Sequence, residues 1–145
     1  MLDKLRILGL LKKSSSAPIS HRFSPKSLAV VVFLGCFFLA GILFWQIPYS
    51  LVTVPNSFFG FGVVVVFAGA AVLGFRLGIA KGVMVGGVVF PAILMARVLV
   101  EGIMDPTRHN LWPLALAIAM VLGLIVAGSG AAVGWLAGRI FRPGD

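Results

Sequence analysis

LAVVVFLGCFFLAGILFWQI, residues Leu28–Ile47, contains no charged residue. An α-helix rises 1.5 Å per residue, so about 20 apolar residues cross the ~30 Å hydrocarbon core of a bilayer. Leu28–Ile47 therefore reads as a membrane span. Working outward, three further apolar stretches follow at Val54–Phe75, Gly82–Val100 and Leu111–Ala137. A backbone in lipid must satisfy its own polar groups, which favours helices here. The expected fold is an all-α integral membrane protein, an antiparallel four-transmembrane-helix bundle. Residues 1–27 form a basic N-terminal segment, 28–138 the membrane domain and 139–145 a basic tail.

Composition agrees with that solvent. The 145-residue chain is 60% hydrophobic and 11% charged, with a mean hydropathy of +1.11. Soluble domains carry about 25% charged residues. Too little polar surface exists here to cover a globule in water. The net charge of +8 raises the question of nucleic acid, but its distribution answers otherwise. Lys4, Arg6, Lys12, Lys13, Arg22 and Lys26 all precede the first span. Such a cluster acts as a topology signal and is attracted to anionic headgroups by about 1 kcal/mol per basic residue. The expected partners are a bilayer with anionic lipid at its cytoplasmic face and a membrane-protein partner or a second copy of the chain. No nucleic-acid partner is expected.

The turns give an orientation. Between the first two spans there is no Lys or Arg, and between the second and third there are Arg76 and Lys81. Arg108 lies between the third and fourth, with Glu101 and Asp105 near it, and Arg139 and Arg142 follow the fourth. By the positive-inside rule, the N terminus, the Arg76–Lys81 turn and the C terminus are cytoplasmic. Trp45, Tyr49 and Trp112 then fall at the outer interface and Trp135 near the inner one, where amphipathic rings are favoured. A bacterial cytoplasmic membrane is the expected location.

Met1–Lys13 spaces Leu2, Leu5, Leu8 and Leu11 helically. A short basic amphipathic helix on the membrane surface is predicted. Ser14–Ser27, with six serines and two prolines, reads as a linker. A basic, Ser-rich start also resembles an organelle transit peptide, which makes an organelle membrane the alternative location. A cleaved secretory signal is not expected, because the basic region is long and no small-x-small site follows the first apolar run.

Two ladders of small residues predict where helices meet: Ala70, Gly74, Gly78, Gly82 and Gly86, and Gly130, Gly134 and Gly138 beside Gly123, Ala127 and Ala131. Lipid supplies no hydrophobic drive for helix association, so close backbone approach matters. The first ladder crosses the Arg76–Lys81 turn, where glycine suits a tight hairpin. Packing within the chain is preferred over a homodimer face. Gly69-Ala-Ala-Val72 recurs as Gly130-Ala-Ala-Val133, a faint echo compatible with two related hairpins. Pro91 predicts a kink in the third span. Cys36, the one cysteine, reads as a small apolar packing residue. It excludes an intrachain disulfide, and one thiol makes no zinc site.

One polar constellation stands out: Arg97, Glu101, Asp105, Arg108 and His109, followed by Asn110. Arg97 and Glu101 are four apart and share a helix face. A charge inside the apolar boundary costs a few kcal/mol unless it pairs or snorkels, so a structural pair is preferred over a substrate site. The turn reads Asp105-Pro-Thr-Arg-His-Asn-Leu-Trp-Pro113. These residues resemble the outer loop of small multispan bacterial membrane proteins, which implies a similar topology and assigns no activity. His109 beside Asp105 is read as a solvated loop histidine rather than a metal ligand. The spans hold no catalytic or cofactor-binding set, and no acidic residue lies between Asp3 and Glu101. Small fluoride channels and multidrug exporters are disfavoured accordingly. The expected function is non-catalytic: an accessory, assembly or stabilising component of a membrane complex. The alternative is a small oligomeric transporter or channel using Arg97–Glu101, Asn56, Ser57 and Ser129. A membrane enzyme acting through Glu101, Asp105 and His109 comes third.

Overall fold

A computed structural model of the chain describes residues 24–48, 51–52, 56–104 and 112–141. The predicted surface helix at Met1–Lys13 lies outside the described residues, as do Lys4, Arg6, Lys12, Lys13, Arg22, Asp105, Arg108, His109 and Arg142. The described residues are helical and form no strand. The helices are α1 (Pro25–Gln46), α2 (Phe61–Leu77), α3 (Ile79–Gly87), α4 (Val89–Met104) and α5 (Trp112–Phe141). Three spans, Pro25–Gln46, Ile79–Ile103 and Trp112–Phe141, are long and apolar enough to cross a membrane. The fourth apolar helix, α2, has 17 residues.

Local chemistry explains the boundaries. α1 begins at Pro25, inside the predicted linker, because Ser24 caps it: the Ser27 N–H donates to Ser24 Oγ at 3.1 Å. Pro25 occupies the first turn, where its missing N–H costs nothing. α2 begins at Phe61 rather than Val54. A 3-10 turn, Asn56–Phe58, and Gly60 at φ 90° precede it.

The third apolar stretch is interrupted at Val88, whose ψ of −5° unwinds the helix. The break falls one turn before Pro91. The proline ring cannot accept the carbonyl four residues back and has no N–H to bond it. That carbonyl belongs to Gly87. Gly123 of α5 lies against it so closely that a Cβ at 123 would overlap the Gly87 oxygen. Two glycine backbones thus meet where proline has released the acceptor, a geometry that permits a weak Cα–H···O contact.

α2 and α3 are joined by Gly78 alone, at φ 91° and ψ 164°. This region of backbone space is essentially closed to L-residues with side chains. No atom lies within 4 Å of a Cβ built there, so the penalty for a substitution is conformational, not steric. Gly78→Ala is expected to destabilise the fold by about 1–3 kcal/mol. A lowered Tm in detergent, with unchanged helicity at low temperature, checks this.

The most extensive helix contact joins α2 and α5. Gly130 lies on the Phe67 carbonyl, Gly134 on that of Ala71 and Gly138 on that of Phe75. Both partners advance by four, so the two helices run parallel. The contact is reciprocal, since Gly74 of α2 lies on the Ala131 carbonyl of α5. α3 runs antiparallel into the same seam. A Cβ at Gly82 would lie 2.7 Å from Ala131 Cβ, and one at Gly86 would lie 2.8 Å from Ala127 Cβ. Ala70, Ala127 and Ala131 are buried at this three-helix junction.

A second core forms where α1 crosses α2 and α4. It contains Cys36, Ala40 and Phe44 with Val66, Phe90 and Ile93. The Cys36 thiol donates to the Val65 carbonyl at 3.6 Å, and Gly69 leaves the room the sulfur occupies. The outward faces stay apolar: Val31, Leu39, Leu99, Ile125 and Leu136 are all exposed. Helices apolar all round their circumference are characteristic of a lipid environment.

Candidate functional site

Arg97 sits on the face of α4 that also carries Phe90, Ile93 and Leu94, all buried. The spacing brings its side chain to the C-terminal end of α1. That end has a defined chemical need. Helix α1 stops at Gln46, ahead of Pro48. The Ile47 N–H closes the last turn on the Phe44 carbonyl at 3.3 Å, and Arg97 adds side-chain donors to this end, where helical N–H groups run out. Nη1 donates to the Phe44 carbonyl at 2.9 Å and Nη2 to the Ile47 carbonyl at 2.7 Å. Nε donates to Glu101 Oε1 at 2.6 Å, and the guanidinium lies 5.2 Å from the centroid of the Phe44 ring. A cation at a helix C terminus also opposes the negative end of the helix dipole.

The latch is two-sided. Trp45 of α1 donates its indole N–H to the Ile93 carbonyl of α4 at 3.3 Å. Its ring packs edge-on against Phe37 at 5.4 Å. Trp45 is therefore fixed to the neighbouring helix, whereas the sequence suggested a belt residue alone. The Arg97 side chain is 7% exposed and that of Glu101 29%. The arginine belongs to the packed interior and the carboxylate to its rim.

Beside the pair lies an open cavity of about 340 Å³, lined by Trp45, Ala96, Arg97, Val100 and Glu101. A smaller one of about 150 Å³ sits between α1 and the start of α2, among Phe44, Ser57, Phe61 and Phe90. The other polar candidates of the spans are dispersed. Ser129 bonds back to its own helix, to the Ile125 and Val126 carbonyls at 3.0 and 2.9 Å. Asn56 is exposed in the turn before α2. Asp105, Arg108 and His109 lie outside the described residues, so the structure brings together two members of the predicted constellation, Arg97 and Glu101. Among the described residues no three His, Cys, Asp or Glu side chains form a metal-sized group.

The topology residues sit at helix ends. Lys26 is in the first turn of α1, Arg76 in the last of α2, Lys81 in the first of α3 and Arg139 in the last of α5. These four ends share one side of the assembly, because α2 and α5 are parallel, α3 runs against them, and α1 runs against α2, with Ala40 beside Gly62 and Cys36 beside Gly69. All four side chains are exposed. Arg139 stacks 4.0 Å from the Trp135 ring centroid, a cation–π contact that leaves guanidinium edges for water or phosphate.

The capping role of Arg97 escaped the sequence reading. Its signal was present in Pro48, which ends α1 and cuts off the supply of helical N–H donors, but the sequence does not say which side chain reaches the end carbonyls. No protein family, curated protein or solved structure matches the chain.

Proposed function

We propose that the protein is a four-span integral membrane protein with both ends cytoplasmic, acting as a non-catalytic accessory, assembly or stabilising component of a membrane complex. The observation that carries this reading is the use made of Arg97. Its three donor nitrogens go to Phe44, Ile47 and Glu101, so the most expensive residue in the spans is spent on joining α1 to α4. The small-residue seam among α2, α3 and α5 supports the same reading, since it buries backbone against backbone. The concentration of Lys26, Arg76, Lys81 and Arg139 at one side supports the orientation, as does the basic segment before α1. In this account α2, at about 25 Å from 17 residues, spans with modest local thinning of the bilayer or with help from the turn before it. The membrane is a bacterial cytoplasmic one, and anionic headgroups contact the basic side.

The second reading, a small oligomeric transporter or channel, is favoured by the cavity beside Arg97 and Glu101. Gentle affinity purification in mild detergent, with mass determination of the intact complex, separates the two. The accessory role requires a different membrane protein at fixed stoichiometry. A homo-oligomer alone, with a water-filled path between copies, would replace it by the transporter.

A further inference from the structure

The contacts between α3 and α5 set a register that reaches past the seam. Gly86 lies against Ala127 and Gly82 against Ala131, a step of four on each of two antiparallel helices. One more step pairs Gly78 with Trp135 and leaves Arg139 a turn beyond the start of α3. Lys81 is the neighbour of Gly82, and Arg76 comes two residues before the joint. Cations from the ends of α2, α3 and α5 are thus gathered around Gly78. The place beside the joint is open, since no atom lies within 4 Å of a Cβ built there.

The charge balance at this end is positive. α1 and α3 begin here while α2 and α5 end here, so two positive and two negative helix termini, each of about half a charge, offset one another. Side chains then decide the sign. The one carboxylate among the described residues, Glu101, lies at the far end of the Ile79–Ile103 span from Lys81 and is paired with Arg97. The Arg139 guanidinium lies 4.0 Å from the Trp135 ring centroid. Such a contact uses its face and leaves the in-plane N–H donors for an anion, and a planar fork matches the paired oxygens of a phosphate. The residues that follow these two on α5, Leu136 and Ile140, are exposed. Apolar flanks beside the fork fit a phospholipid better than a free phosphate ion, which has no chains to cover them.

We infer that the Gly78 joint seats one anionic phospholipid, its phosphate held by Lys81 and Arg139 with Arg76 at the rim, and its chains along Leu136 and Ile140. The site presupposes the membrane placement proposed above, and it sharpens a general attraction for anionic headgroups into a position. Diffuse surface charge would weigh every cation alike, whereas a site weighs them by place. Lys26 supplies the comparison. α1 packs on the face of α2 that carries Gly62 and Gly69, opposite the face that meets α5 through Phe67, Ala71 and Phe75. Lys26 therefore shares this end of the bundle but stands away from the α3–α5 groove.

The test uses the full chain in two arms. In the first, protein in nanodiscs of equal phosphatidylglycerol and phosphatidylcholine is transferred to mild detergent, and retained lipid is counted by native mass spectrometry. In the second, delipidated protein in detergent is titrated with sodium phosphate against sodium chloride at matched ionic strength, reading the thermal midpoint. Lys81→Gln, Arg139→Gln and Lys26→Gln are run beside the wild type. All three replace exposed side chains, a class of substitution that leaves folding nearly unchanged.

The expected result is one phosphatidylglycerol per chain, preferred about tenfold over phosphatidylcholine. That preference is lost in Lys81→Gln and in Arg139→Gln and kept in Lys26→Gln. A fall shared equally by all three variants overturns the site, because it shows charge without position. No preference in either arm overturns it too. A phosphate-specific rise in midpoint that Lys81→Gln and Arg139→Gln abolish, without a lipid preference, supports the phosphate chemistry and overturns its lipid source. Protein that fails to enter nanodiscs yet shows that rise counts against the membrane reading and leaves the phosphate-binding residues standing.

Discussion

Arg97→Ala is expected to lower the stability of the detergent-solubilised protein by about 3 kcal/mol, the cost of breaking a buried ion pair from one side. Two consequences add. Glu101 loses its Arg97 partner, and the Phe44 and Ile47 carbonyls lose the guanidinium bonds in an apolar setting, where a lost hydrogen bond costs most, although Phe44 keeps the Ile47 N–H. Arg97→Lys is expected to recover part of the loss. A lysine keeps the charge but is a point donor, and it cannot reproduce a planar fork aimed at three acceptors. Folded yield after size exclusion and the thermal midpoint both report the order wild type, Lys, Ala. Unchanged yield in Arg97→Ala with lost function would assign the residue to chemistry and remove the main support for an accessory role.

Gly134→Leu is expected to cost at least about 2–3 kcal/mol and to separate α2 from α5. A Cβ at 134 would overlap the Ala71 carbonyl, and the obstacle is main chain, which cannot rotate away as a side chain can. Gly134→Ala already meets the same carbonyl and is expected to be measurably worse than wild type. Gly128→Ala, on the same helix, is the control: nothing lies within 4 Å of its Cβ, and alanine is the better helix former. Thermal midpoints that rank Gly128→Ala at or above wild type and Gly134→Leu lowest test the seam directly. Equal midpoints for the two positions would mean that glycine is present there only as a common membrane residue.

Much of this architecture is legible in the residues themselves. Apolar length sets the helices, the i,i+4 spacing sets the Arg97–Glu101 pair, and Pro91 marks the broken span. The glycine ladders indicate small faces without naming their partners. Gly130 and Gly134 seat on the carbonyls of a parallel helix, Gly82 and Gly86 on alanines of an antiparallel one, and Gly78 leaves the packing to form the joint. Such assignments depend on how three helices are arranged in space, which periodicity does not encode. The start of α2 was misjudged for a different reason. Hydropathy averages across Pro55, Asn56 and Ser57, whereas hydrogen bonding does not, and the helix waits until Phe61. The cap on α1 combines both causes: the chain shows an end that needs donors and an arginine that has them, fifty residues apart.

The placement of α2 decides the topology. Four spans put both ends on one side, while three put them on opposite sides. The most direct measurement is single-cysteine labelling in a Cys36→Ala background, with Ser14→Cys, Asn110→Cys and Gly144→Cys exposed in intact cells to a membrane-impermeant maleimide. Reaction is expected at 110 alone, with 14 and 144 reacting only after permeabilisation. Labelling of 14 and 144 on opposite sides of the membrane would contradict it and leave α2 as a helix that does not cross.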